Sequence, residues 1–73
     1  MIDMTYDPEA DAVYFTVGRG KVDHTEKAGP FIYDVDAEGR LLGIEVLAAR
    51  TTLAPGDWKN AWRPGQTRVD AAE

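Results

Sequence analysis

Cysteine is absent from this chain, and histidine occurs once, at His24. The first absence excludes disulfides and thiolate metal sites, and the second excludes a histidine metal cluster. No apolar run approaches the roughly 20 residues that a membrane-spanning helix needs, and no apolar signal-peptide core stands near the start. The expectation is a cytoplasmic protein with no metal, no cofactor and no membrane attachment. At 73 residues it makes one small domain. A chain of that size buries only about 60% of its unfolded surface. With neither disulfide nor metal to staple it, self-association into a homo-oligomer is the expected support.

Positive charge is scarce where the chain is longest. The net charge of −5 divides unevenly. Residues 1–49 hold ten acids against four bases, whereas residues 50–69 hold Arg50, Lys59, Arg63 and Arg68 against Asp57 alone. Phosphate contacts need positive charge, so the acidic body is unsuited to nucleic acid. The basic tail suits an acidic neighbour, including the body of a second copy.

The first 49 residues alternate β-rich stretches with turn signals. This predicts an α+β, mainly β fold: an antiparallel meander of four to five short strands followed by a short C-terminal helical segment. Ile2 to Tyr6 alternates in polarity, and Asp7-Pro8-Glu9-Ala10-Asp11 then reads as a turn, with Asp7 accepting from backbone beyond Pro8. Ala12 to Val17 is the clearest strand. Gly18-Arg19-Gly20-Lys21 reads as a hairpin connection, and Val22 to Lys27 as an exposed or edge strand guarded by its charges. Phe31 to Val35 and Leu41 to Leu47 are apolar strands. Residues 1–54 thus form the strand-rich domain, with one or two helical turns from Ala48. Residues 55–73 form a C-terminal extension with a short helix, Trp58 to Trp62, and a frayed end from Gln66.

Asp34 to Glu45 matches the spacing of a calcium loop, with Asp34, Asp36, Glu38, Gly39 and Glu45 at the ligand and turn positions. The flanks argue otherwise. A calcium loop of this kind lies between helices, whereas Phe31-Ile32-Tyr33 and Leu42 to Val46 are β-rich. At about 3.3 Å per residue, Glu45 inside a strand cannot curl back to the tip. The stretch therefore reads as a hairpin with Gly39 in the left-handed position of its turn.

Other polar groups point the same way. Asp7, Glu9 and Asp11 form an acidic turn without a visible pocket to perturb them. A general-base role for His24 needs an orienting partner and a nucleophile, and the sequence supplies no plausible set, so it reads as a surface histidine. Trp58 and Trp62, four apart, would share one helical face and cap the sheet or serve a partner. Lys59 and Arg63 have the same spacing, and two cations alone do not make a phosphate site.

Tyr6-Asp7-Pro8-Glu9-Ala10-Asp11-Ala12-Val13-Tyr14-Phe15, the Thr25-Glu26 strand, and Asp36-Ala37-Glu38-Gly39-Arg40-Leu41-Leu42-Gly43-Ile44-Glu45-Val46-Leu47 together resemble the YuzE-like family of small bacterial proteins (domain of unknown function 2283). The resemblance covers most of residues 1–49. It implies a compact strand-rich fold with a short C-terminal helical element, and it brings no activity, cofactor or catalytic residue. The chain departs from the family pattern at Ala48, where an acidic residue is usual, and again from Pro55 onward.

These features lead to a non-enzymatic, self-associating protein-interaction module. Its expected interface is an apolar sheet face built from Val13, Phe15, Leu42, Ile44 and Val46, together with Trp58 and Trp62. The alternative is an antitoxin-like partner of a small toxin, with the C-terminal tail as its binding segment.

Overall fold

A computed structural model describes residues 3–64. Ile2, at the start of the expected first strand, and the expected frayed end from Gln66 lie outside the described residues. Five strands form one antiparallel sheet: β1 (Asp3–Asp7), β2 (Ala12–Thr16), β3 (His24–Ala28), β4 (Phe31–Val35) and β5 (Leu41–Val46). A single helical turn, α1 (Ala49–Thr52), and a 3-10 turn (Asp57–Asn60) follow. The expected mainly-β α+β architecture is what the chain adopts.

The spatial order is β1-β2-β5-β4-β3. Polarity explains it. β5 presents Leu42, Gly43 and Val46 as buried residues and occupies the centre, whereas every residue of β3 is exposed and β3 takes the edge. The sequence-based hairpin at Gly18-Arg19-Gly20-Lys21 is not formed. β2 pairs with β1 and β5, so the segment between Thr16 and His24 crosses the end of the sheet to its far edge, as in a Greek key. Val17 and Gly18 both donate backbone N–H groups to the Leu42 carbonyl, at 2.8 and 3.0 Å, and Asp23 donates to Val35 at 2.9 Å. The glycines let the crossing chain lie close to Leu42, whose Cδ2 stands 3.2 Å from where a Cβ on Gly20 would be.

Two of the three hairpin tips, β1–β2 and β4–β5, are built by a carboxylate. Asp7 Oδ1 accepts from the Glu9 and Ala10 amides at 3.0 and 3.4 Å, which fixes the turn that Pro8 begins. Asp36 Oδ1 accepts from the Glu38 and Arg40 amides at 3.0 and 2.8 Å, while Oδ2 takes Arg40 Nε at 2.9 Å. Gly39 sits at φ 81°, the left-handed position expected of it.

Alternation puts Tyr6, Val13, Val46 and Phe15 on one face of the sheet, and the C-terminal segment folds onto that face. Ala49 and Trp58 complete the buried cluster with Tyr6, Val13 and Val46. Asp11 ties the segment down. Its carboxylate accepts from the Tyr6 hydroxyl at 3.1 Å and the Arg50 amide at 3.2 Å, and its carbonyl accepts from the Ala49 amide at 2.8 Å. The chain enters α1 through Ala48, which is exposed and held at φ 51°. A left-handed alanine costs about 1 kcal/mol. Ala48→Gly is therefore expected to raise stability by up to about 1 kcal/mol, or some 4–8 °C in Tm. Thermal melts of the two proteins check this, and an unchanged or lower Tm would contradict it.

Candidate functional site

The other face of the sheet carries no described element. Its central row reads Lys27, Ile32, Glu45, Tyr14 and Thr5 across β3, β4, β5, β2 and β1. The adjacent row holds Asp34 beside Gly43. Tyr14 leans diagonally across Gly43 to donate its hydroxyl proton to Asp34 Oδ2 at 2.6 Å. A Cβ at residue 43 would collide with the Tyr14 ring and hydroxyl. The glycine within this strand is thus the floor on which the tyrosine lies.

Burial, the hydrogen bond to Asp34, and the charges of Asp34 and Glu45 push the Tyr14 phenol from 10.0 up to about 12. It stays protonated and serves as a donor throughout the neutral range. A phenol raised in the folded state contributes stability below pH 10 and loses it as pH rises through about 12. Glu45 itself has no hydrogen-bond or ion-pair partner among the described residues. It faces this open surface between Tyr14 and Ile32, half-buried.

The calcium-loop residues are dispersed by this geometry. Asp34 faces Tyr14, Asp36 is committed to Arg40 and the turn amides, and Glu45 lies along the strand. No group of three or more His, Asp or Glu among the described residues is placed to hold a metal ion. Three interactions from Arg40, its amide bond first, and the Glu38 amide hold the Asp36 carboxyl below its usual 3.8. The carboxylate's contribution to stability is therefore complete above the ordinary value near pH 4 and disappears as pH falls through the lower folded value. Asp36→Asn should therefore destabilise the protein at pH 7, and the difference should shrink as pH falls through the lowered folded value. Chemical denaturation across an acid pH series tests this; a difference that persists undiminished to the acid end would refute the ion-pair account.

Asp7, Asp11, Tyr14 and His24 are likewise apart. Asp7 and Asp11 build the first turn and the α1 junction, and Tyr14 lies on the open face. His24 stands on the far edge strand, bonded to Asp23 at 2.9 Å and Glu26 at 3.1 Å, which together raise its pKa. A shallow cleft of about 350 Å³ does open between β1 and the tail, lined by Tyr6, Pro8, Lys59, Asn60, Ala61 and Arg63. Lys59 and Arg63 are the charged residues of its lining.

The sheet residues expected at an interface separate into two groups. Val13, Leu42 and Val46 are buried in the chain's own fold, whereas Phe15 and Ile44 remain half-buried beside the core. Trp58 packs edge-on against Tyr6, with ring centres 5.1 Å apart and planes at 81°, and its Nε1 donates to the Ala54 carbonyl at 2.7 Å. Lys59 Nζ lies 5.7 Å from the Trp58 ring centre. Trp62 is not on the same helical face: only Asp57–Asn60 is helical, and Trp62 forms a parallel bridge with Thr5 and accepts the Tyr6 amide through its carbonyl at 2.9 Å. The Tyr14–Asp34 pair was not anticipated from sequence. Its available signal was the glycine inside an otherwise apolar strand.

The model of DUF2283, described as a protein of unknown function, covers residues 3–50. No curated protein and no solved structure matches the chain.

Proposed function

The chain belongs to the DUF2283 family of proteins of unknown function, and from that premise we propose a non-enzymatic protein-interaction module that acts in the cytoplasm and self-associates. The observation that carries this reading is the thinness of the core. Among the described residues only Val13 is a large side chain buried completely. Met4, Phe15, Phe31 and Ile44 surround the core while remaining partly exposed. A second copy would complete their burial at roughly 25 cal/mol per Å² of apolar surface. The cysteine-free composition supports the cytoplasmic setting.

The antitoxin-like alternative needs the tail as a binding segment. It draws less support, because Trp58 and Trp62 are already engaged with β1. Sedimentation equilibrium between about 1 and 100 µM tests the principal reading. A mass at least twice the 8.0 kDa of one chain is expected. A monomer throughout that range would overturn the proposal.

A further inference from the structure

The sheet offers four routes to self-association, and three are obstructed. The β1 edge is occupied by the Trp62 bridge. The β3 edge is entirely exposed and carries His24, Glu26 and Lys27, the charged character that discourages strand addition. On the open face the strand positions hold Asp3, Asp7, Asp34 and Glu45 against Lys27, so two copies meeting there would bring together surfaces of the same net sign, which is costly.

The tail-bearing face is different. One cross-strand row runs Met4, Phe15, Ile44, Tyr33, Glu26 through all five strands. Its four apolar members are half-buried, and its β3 end is an exposed carboxylate. At the β1 end, the tail that docks over Tyr6 carries exposed Lys59 and Arg63. The face is therefore acidic at one rim, apolar across the middle and basic at the other rim. Strand order adds a geometric condition: β5 is central, with two strands on each side.

Resting on the self-association reading above, we propose that two copies pack through this face about a two-fold axis parallel to the strands and passing over β5. That rotation lays β3 of each copy over β1 of the other. It sets Phe15 of each copy against Tyr33 of the other and Ile44 against Ile44, and brings Glu26 of each copy toward the tail of its mate, where Lys59 is exposed. The interface is isologous and closed, so it ends at a dimer rather than a fibre. The molecule measures 33 × 33 × 18 Å, so its broad side, sheet and docked tail together, is of the scale required for roughly 800 Å² per partner.

The test uses the full chain with Glu26→Lys and Lys59→Glu, both at exposed positions, and Glu38→Lys at the distal hairpin tip as a charge control. Circular dichroism melts confirm folding of each variant, and sedimentation reads the dimer constant at low salt. Each of the first two substitutions should weaken the homodimer by about tenfold, since two rim contacts turn repulsive per dimer. Glu38→Lys should leave it within about twofold of the parent. Mixing Glu26→Lys with Lys59→Glu in equal amounts should restore parental affinity, because both contacts of the heterodimer are then attractive. Loss without restoration, or no loss, overturns this face and axis while leaving self-association standing. A parent chain that is monomeric at 100 µM overturns the underlying reading as well.

Discussion

Trp58→Ala should lower the unfolding free energy by about 3–5 kcal/mol, the usual range for truncating a buried large aromatic. Trp58 is 8% exposed and belongs to the core cluster although it comes from a single 3-10 turn. That turn cannot hold itself together, since isolated helices of a few residues are unstable in water. Its position depends on the edge-on contact with Tyr6 and the Nε1 bond to Ala54. A domain of this length has a total stability of roughly 4–11 kcal/mol at 0.05–0.15 per residue, so the alanine variant sits near the edge of folding. Trp58→Phe keeps an aromatic on Tyr6 and gives up the indole donor, with a smaller expected loss of about 1–2 kcal/mol. Urea unfolding at one fixed protein concentration measures both, the concentration being held because association adds to apparent stability. A loss below about 1 kcal/mol for Trp58→Ala would mean that the C-terminal segment is an appendage rather than part of the core.

Local order was legible because local chemistry sets it. The alternation of Val13 and Phe15 with Tyr14 and Thr16 located β2, and Asp36 with Gly39 located the β4–β5 tip. The charges of residues 22–27 identified the exposed edge strand. Strand order was less visible. Gly18 and Gly20 look like turn residues, and locally the chain does bend there, but pairing is decided by which strands must be buried on both sides. The apolar run of β5 and the polar run of β3 contained that information, and it outweighs adjacency in sequence.

The tail misled for a related reason. A spacing of four between Trp58 and Trp62 suggests one helical face only if a helix persists, whereas Pro64 and the pull of the β1 edge turn Trp62 into a bridge. The acidic turn of Asp7, Glu9 and Asp11 offered no visible pocket, and the structure uses Asp7 to shape that turn and Asp11 to moor α1. The Tyr14–Asp34 contact spans twenty residues and skips a strand, so it becomes visible only once β5 is known to lie between β2 and β4.

That interposed strand yields the second large effect, at Gly43. Its place within β5 would ordinarily favour a β-branched residue, and Gly43→Val should then stabilise the strand by up to about 1 kcal/mol on propensity alone. The opposite is expected. A Cβ there would overlap the Tyr14 ring and hydroxyl and lie 2.9 Å from the Phe15 carbonyl. Tyr14 would be driven off Asp34, leaving a half-buried carboxylate without its donor in the middle of the sheet. Overpacking of this kind costs typically 1–3 kcal/mol, and loss of a hydrogen bond to a charged group about 1.5–3. The two overlap, so Gly43→Val should destabilise by about 3 kcal/mol. Tyr14→Ala in the same chain removes the ring that causes the clash, although the Phe15 carbonyl remains. A double-mutant cycle should therefore show a coupling of about 1–2 kcal/mol, with valine costing much less beside alanine than beside tyrosine. Equal costs in the two backgrounds would place the clash in the backbone alone and remove Tyr14 as the reason for a glycine in this strand.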